Sequence, residues 1–366
     1  MDLEEIRRRL SQIDAELLAL VGERQRLSHD VARVKRATGR PTRDFARERD
    51  VIMNARAAAE RSGVSPQVAE QILRLLIRSS LTTQEQDLVA AQGLGAGKRA
   101  LIIGGAGKMG RWFAGYLASQ GFAVEIADPS GAAAGYPCID DWRASTLDQD
   151  LIVVATPLGI TGEVLAGLAA RRPHGLVFDI GSLKTPLRAG LEALVAAGVR
   201  TASIHPMFGP DTELLSGRHV IHIDLGDEES MREAQALFAS TMVEQVVTTL
   251  DDHDRLIAYV LGLSHAVNIA FFTALAGSGE AAPRLVRLSS TAFDAQFDVA
   301  AKVASESPAL YFEIQHLNQY GAESLEALSR AVERLRKAVE TSDAAGFEQM
   351  MLTGRAYVAG RTTGQR

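Results

Sequence analysis

Gly105, Gly107 and Gly110 are spaced as G-x-G-x-x-G directly after the apolar run 100–103, and Asp128 ends a second apolar run about 20 residues on. Gly105 permits a tight turn, Gly107 lets backbone N–H groups approach a pyrophosphate, and Gly110 lets the next helix lie close to the strand. The positive end of that helix then faces the phosphates. Lys108 and Met109 belong to the same cofactor-binding stretch. Asp128 would accept hydrogen bonds from the adenosine ribose hydroxyls and repel a 2′-phosphate, which favours NAD over NADP. A second set carries charge where a helix should be apolar. Ile6, Leu10, Ile13, Leu17, Leu20, Leu27, Val31 and Val34 recur at spacings of mostly three and four, and Arg24 fills a position of that seam. A guanidinium there is costly unless an anion or a fixed acid meets it, so the helices should enclose a polar pocket. Lys35 lies eleven residues on and shares nearly the same face. Arg7 is rotated off it and would most easily reach that pocket from a second copy of the chain.

Asp44, Arg47 and Glu48 fall at i, i+3 and i+4 on one helical face; taken alone, they read as a solvated salt-bridge cluster. Further on, a stripe of Ile72, Leu73, Leu76 and Ile77 gives way on the same face to Ser80 and Gln84. The third set lies in two loops, residues 179–184 (DIGSLK), which hold Ser182, and residues 205–211 (HPMFGPD), which open with His205. A histidine that directly follows an apolar strand, beside a dinucleotide site, is placed to act as an acid or base.

The elements that must position these residues follow from periodicity. Residues 3–36 read as one long helix, 44–61 as a second, and a third begins at Ser65-Pro66, an N-cap followed by proline at the first helical position. Residues 93–98 (GLGAGK) read as a linker. Apolar strands at 151–155, 175–180 and 200–204 alternate with helices, including one at 185–196, which predicts a mostly parallel sheet covered on both faces. From about residue 252 the pattern is helical, with stretches at 256–276, 283–305, 310–337 and 344–359. The expected fold is thus an all-α domain (1–92), a linker (93–98), an α/β Rossmann-like dinucleotide domain (99–250) and an α-helical substrate and dimerisation domain (251–366).

At 366 residues the chain has room for two or three domains. A net charge of −6 with no basic face argues against a dedicated nucleic-acid binder. The single cysteine, Cys138, excludes an internal disulfide and reads as a small packed residue. No segment reads as long and apolar enough to span a bilayer, and the charged, amphipathic N-terminus is unlike a signal peptide, so a soluble cytoplasmic protein is expected.

Arg7, Arg24, Lys35, Asp44, Arg47, Glu48, Ser80 and Gln84 on three helices resemble the AroQ class of chorismate mutase over about the first 90 residues. The resemblance implies that Arg7 from a partner chain, Arg24, Arg47 and Ser80 hold the two carboxylates of chorismate. Lys35 and Gln84 would donate to its ether oxygen, and Asp44 and Glu48 would contact the ring hydroxyl. Such a rearrangement needs no nucleophile and no metal, only a folded diacid and donors aimed at the oxygen where charge builds up. The motifs GGAGKMG, DIGSLK and HPMFGPD resemble the TyrA family of prephenate dehydrogenases over roughly residues 99–360. By that resemblance, His205 draws off the C4 hydroxyl proton of prephenate as hydride passes to the nicotinamide of NAD, and Ser182 sits between that hydroxyl, His205 and the cofactor. His265 and His253 match recurring family histidines, His265 at the substrate entrance. The whole resembles a bifunctional chorismate mutase/prephenate dehydrogenase acting as a homodimer.

One stretch departs from that pattern. Where the enterobacterial relatives carry a carboxylate-binding arginine, the run 288–297 (LSSTAFDAQF) presents Asp294. Either Arg284 or Arg287 takes over that hold, or the substrate offers Asp294 an ammonium group, as arogenate or 4-amino-4-deoxyprephenate would. An aminodeoxychorismate mutase/aminodeoxyprephenate dehydrogenase is therefore the alternative. A regulatory NAD-binding protein that has lost its chemistry is the alternative from another class.

Overall fold

The structure, a computed structural model, describes residues 2–131 and 135–360. It forms two compact units, one of residues 1–182 and 187–249, the other of residues 183–186 and 250–366.

The first unit opens with three helices, α1 (Leu3–Thr38), α2 (Phe45–Arg61) and α3 (Pro66–Ala91). Asp2 caps α1 in a reciprocal box with Glu5, Gly39 ends it in the left-handed conformation, and Asp44 caps α2. Ser65 precedes Pro66 as expected, but its side chain makes no capping bond. The α3 helix packs against both others. From residue 3 to residue 20 every position of α1 is exposed, including Ile6, Leu10, Ile13, Leu17 and Leu20. Residues 93–98 are docked rather than free, with Gly95 N–H donating to Gln120 O at 3.0 Å and Lys98 O accepting from Ala123 N–H at 2.9 Å.

The rest of this unit is an eight-stranded sheet, β1 (Arg99–Ile103), β2 (Ala123–Ala127), β3 (Cys138–Ile139), β4 (Leu151–Val154), β5 (Leu176–Asp179), β6 (Thr201–Pro206), β7 (His219–Ile223) and β8 (Glu244–Thr248), in the order β3-β2-β1-β4-β5-β6-β7-β8. All neighbours are parallel except β6 and β7. Helices α4 (Lys108–Ser119), α5 (Leu158–Arg171), α6 (Arg188–Ala196) and α7 (Glu228–Ala236) complete it. Alternate strand residues, among them Ile102, Val153 and Phe178, join Phe113 and Leu117 of α4 and Phe238 in one core. The intervening Leu101, Ile152 and Val177 are as deeply buried, as a sheet covered on both faces requires. Phe113 meets Phe178 and Phe238 edge-on at 6.0 and 6.5 Å. Cys138 is a half-buried free thiol on the edge strand β3.

The second unit is helical, with α8 (Leu250–Ile257), α9 (Ser264–Gly277), α10 (Ala282–Arg287), α11 (Thr291–Ala304), α12 (Pro308–His316), α13 (Gly321–Glu340) and α14 (Ala344–Ala359). A π-helical turn, Ala258–Leu263, joins α8 to α9. The stretches expected at 283–305 and 310–337 are each broken in two, the first where Ser290 caps α11 and the second at the turn before Gly321. The expectation of no bilayer-length apolar segment needs correcting. Leu250–Gly277 runs 28 residues, with an 18-residue window of mean hydropathy 1.7 that is 28% buried. Most of that window is not buried.

Candidate active sites

The α1 and α3 helices bring Arg24, Ser28 and Ser80 together. Arg24 donates to Leu76 O at 2.5 Å and to Ser80 Oγ, which also accepts from Ser28 Oγ at 2.8 Å. Burial lowers the Arg24 pKa from its ordinary value, but a guanidinium so far above neutrality stays charged. Among the described residues no carboxylate pairs with it. The Lys35 ammonium donates to Thr42 O at 2.5 Å. Burial pushes its pKa down, and the charges of Asp44 and Glu48 pull it only part of the way back. Lys35, Thr42, Gln84, Ala32 and Leu88 line a cavity of about 30 Å³ together with Arg36 and Arg40. Gln84 is 7% exposed, donates to Ser80 O at 3.1 Å, and leaves its amide oxygen buried without a partner. Such an oxygen costs free energy unless a ligand meets it.

The acids of α2 differ from the solvated cluster their spacing alone implies. Asp44 is the N-cap, accepting from Arg47 N–H at 2.9 Å, while the Arg47 side chain is exposed. Glu48 pairs not with Arg47 but with Arg43, whose Nε and Nη2 reach its two oxygens at 2.9 and 3.1 Å. Arg7 is not brought to this pocket within one chain. It pairs with Glu4 at 3.2 Å on the exposed half of α1, and its 17-residue separation from Arg24 along that helix is roughly 25 Å.

In the sheet, register aligns the strand ends. Ile103 lies opposite Ala127 and Val154, Val154 opposite Asp179, and Asp179 opposite Ser203. The glycine loop, Asp128, the 180–182 segment with Ser182, and His205 therefore all emerge along one C-terminal edge, on both sides of the point where strand order reverses between β1 and β4. His205 is 4% exposed and lies within β6 rather than after it.

The loop fits a dinucleotide. The residue in the left-handed region is Gly104, with φ of 84°, so the turn belongs there and not at Gly105. A Cβ at Gly105 would instead strike Ile126 at 2.6 Å, and one at Gly110 would strike Gly104 O at 2.4 Å. Gly107 is the N-cap of α4, with Lys108 and Met109 in the first turn. The Asp128 carboxylate accepts from Ala106 N–H at 3.1 Å and from Ser130 N–H and Oγ at 3.0 and 2.7 Å. Burial raises its pKa, but those bonds and Arg111 lower it by more, so the group is anionic beside the glycines.

His253, His265 and Asp294 lie in the second unit. His253 is buried, with Nδ1 2.7 Å from Asp254 Oδ1. His265, on α9, packs on Tyr311 at 4.3 Å between ring centroids. Its Nδ1 is buried without a partner, and burial lowers its pKa. Asp294 is exposed in the first turn of α11. Of the two cations that could replace the missing arginine, Arg284 already pairs with Glu280 at 2.9 Å, while Arg287 is exposed.

Residues 6–85 match a family model for chorismate mutase type II. Residues 125–254 match the nucleotide-binding domain and residues 249–353 the dimerization domain of prephenate dehydrogenase. The chain is 31% identical over 263 residues to a 4-amino-4-deoxyprephenate dehydrogenase of Streptomyces pristinaespiralis, covering 68% of this chain and 87% of that protein. The chain belongs to the prephenate dehydrogenase family. With its mutase domain, it is also 28% identical over 321 residues to the T-protein of Enterobacter agglomerans, 86% of this chain and 81% of that one. In fold, the prephenate dehydrogenase part is similar to a crystal structure of prephenate dehydrogenase from A. aeolicus in complex with hydroxyphenyl propionate and NAD+, with a TM-score of 0.56 at 18% identity over 72% of this chain and 98% of that one.

Three carboxylate or guanidinium positions in this family member escape a reading of local pattern. Arg43 grips Glu48, Glu85 binds backbone amides 130 and 157 residues away, and Asp254 accepts from Lys184 N–H at 2.9 Å and Thr185 N–H at 2.6 Å. Asp254 thus fixes the segment that begins two residues after Ser182. The only signal for it is an acid beside a histidine in DHD.

Proposed function

We propose that the chain rearranges chorismate to prephenate in its helical domain and oxidatively decarboxylates prephenate to 4-hydroxyphenylpyruvate in its dehydrogenase part, as a step of tyrosine biosynthesis. The observation that carries this reading is the row of strand ends that places the glycine loop, Asp128, Ser182 and His205 along one edge. On the mutase side, Arg24, Ser80, Arg47 and a partner chain's Arg7 would hold the two carboxylates of chorismate. Lys35 and Gln84 would donate to the ether oxygen as the C–O bond breaks, and Asp44 and Glu48 would meet the ring hydroxyl.

The glycine loop would hold NAD, with Asp128 toward its ribose, and the bound cofactor would supply the hydride acceptor. His205 takes the C4 hydroxyl proton as the C4 hydrogen leaves with its electron pair, and Ser182 orients that hydroxyl. The ring then has a carbonyl at C4. Breaking the bond from C1 to its carboxylate releases CO2 and returns the electron pair to the ring, which becomes aromatic with a C4 oxyanion that takes the proton back from His205. His253 and His265 would serve substrate entry and positioning.

Asp294 favours a second reading, in which the dehydrogenase substrate carries an ammonium group, as arogenate and 4-amino-4-deoxyprephenate do. The 31% identity to a 4-amino-4-deoxyprephenate dehydrogenase supports it. Incubating the protein with chorismate and NAD, then with prephenate, arogenate and 4-amino-4-deoxyprephenate in turn, tests both. Falling chorismate absorbance and rising NADH absorbance are expected. A lack of turnover on every substrate would leave a regulatory NAD-binding protein.

A cytoplasmic homodimer is part of the same proposal. A second copy would cover the exposed apolar residues of α1 and of Leu250–Gly277, and would supply Arg7. The lone Cys138 suits a reducing compartment.

A further inference from the structure

Residues 207–216 leave β6 two residues after His205, and mutase-domain side chains grip the far end of that stretch. Glu85, the neighbour of Gln84 in α3, is 3% exposed and accepts from Leu215 N–H and Met242 N–H, each at 2.7 Å. One residue on, Ser216 Oγ accepts from Arg43 Nη1 at 2.7 Å. The same guanidinium uses Nε and Nη2 to hold both oxygens of Glu48 and lies 4.4 Å from the Phe45 ring centroid. The stretch itself is fixed to α4, with Trp112 Nε1 donating to Thr212 O at 2.9 Å and the Trp112 and Phe208 rings 4.9 Å apart.

We infer that Arg43 is a positioning residue for the chorismate rearrangement and that Ser216, from the dehydrogenase part of the chain, sets its orientation. This rests on the reading of Glu48 as a mutase residue. A carboxylate on a free side chain samples several rotamers, whereas a planar fork that meets both oxygens holds one. The fork is itself fixed only if a third donor is anchored, and Ser216 is that anchor. It is held in turn by Glu85, which binds the preceding amide. The mutase domain therefore draws the geometry of one of its acids from a residue 168 positions further along the chain. Catalysis by orientation is sensitive to such placement, so the effect belongs in turnover rather than in folding.

The test uses full-length protein and measures chorismate rearrangement alongside oxidation of supplied prephenate. Ser216→Ala should lower mutase kcat/KM by about two- to tenfold, the range for one hydrogen bond. Ser216→Thr, which keeps the hydroxyl, should restore it. Oxidation of prephenate by Ser216→Ala should stay within about twofold of wild type. Arg43→Ala should lose more than Ser216→Ala, and on that background Ser216→Ala should cost nothing further, because its route to Glu48 has gone. Undiminished rearrangement by Ser216→Ala, losses that simply multiply in the double variant, or parallel loss of both activities would each overturn the inference. A wild type that oxidises prephenate but does not rearrange chorismate would overturn the mutase reading itself, and this inference with it.

Discussion

His205 is almost fully buried near the end of a strand, and the chemistry assigned to it is uptake of one proton. Replacing it with asparagine keeps a polar side chain of similar reach and removes the base. His205→Asn should lower dehydrogenase kcat by roughly 10²–10⁴-fold. NAD affinity, read by fluorescence titration, should change little, and wild-type turnover in the variant would remove His205 from the mechanism. Asp294 is the residue on which the two proposed substrates differ. If it pairs with an ammonium, Asp294→Asn should cost the amino substrate about 1.5–3 kcal/mol in kcat/KM, the range for a hydrogen bond to a charged group, and leave prephenate alone. If prephenate is the substrate, Asp294 contributes only a mild repulsion, and Asp294→Arg should leave the KM for prephenate unchanged or lower it. Comparing kcat/KM for both compounds on the three proteins decides the matter.

Among the elements, α8 ties the 183–186 segment to the helical unit through one carboxylate. Burial raises the Asp254 pKa, while bonds from His253, Thr185 and Lys184 lower it by more, leaving it below its ordinary value of 3.8. A depressed acid stabilises the fold fully above its unfolded pKa and loses that contribution as pH falls through the folded one. Asp254→Asn should therefore reduce thermal stability at neutral pH, and the gap from wild type should close in acid below the ordinary aspartate range; a gap that persists unchanged there would argue against an ionised Asp254. Helices α1 to α3 and the strand, glycine turn and helix of β1 and α4 were legible because each carries a strong period or a glycine pattern. The antiparallel pair β6–β7 and the strand β8 were not. HVIHI sets its two polar residues three apart, and EQVVT lies on a half-exposed edge, so neither shows the period-two alternation that marks a half-buried strand. The eight residues proposed for the mutase pocket stand in the sequence as residue types, but the Arg43–Glu48 pair does not. Spacing offered Glu48 an exposed arginine one residue away, and the partner it takes comes from the turn before the helix. Glu85 and Asp254 bind amides distant in sequence, which no local pattern encodes.

For the whole molecule, the decisive quantity is how many chains build one mutase site. An exposed apolar half of α1 and an Arg7 that cannot reach Arg24 along a straight helix both support the proposed second copy, and a twofold dimer would supply each site with one Arg7 from across the interface. This predicts complementation between two inactive variants. Arg7→Ala and Arg24→Ala homodimers should each rearrange chorismate poorly, since every site lacks one cation. In a mixed dimer, the chain that keeps Arg24 receives an intact Arg7 from its partner, while the other site lacks both. If subunits exchange at random, half the dimers are mixed and half of their sites are whole, so an equimolar mixture should recover about a quarter of wild-type mutase turnover per chain. Oxidation of supplied prephenate measures the folded fraction in the same samples, because neither arginine belongs to that site. Sedimentation before and after mixing would establish that the chains are dimeric and have exchanged. An exchanged mixture that stays as inactive as its parents would place Arg7 outside the partner's site.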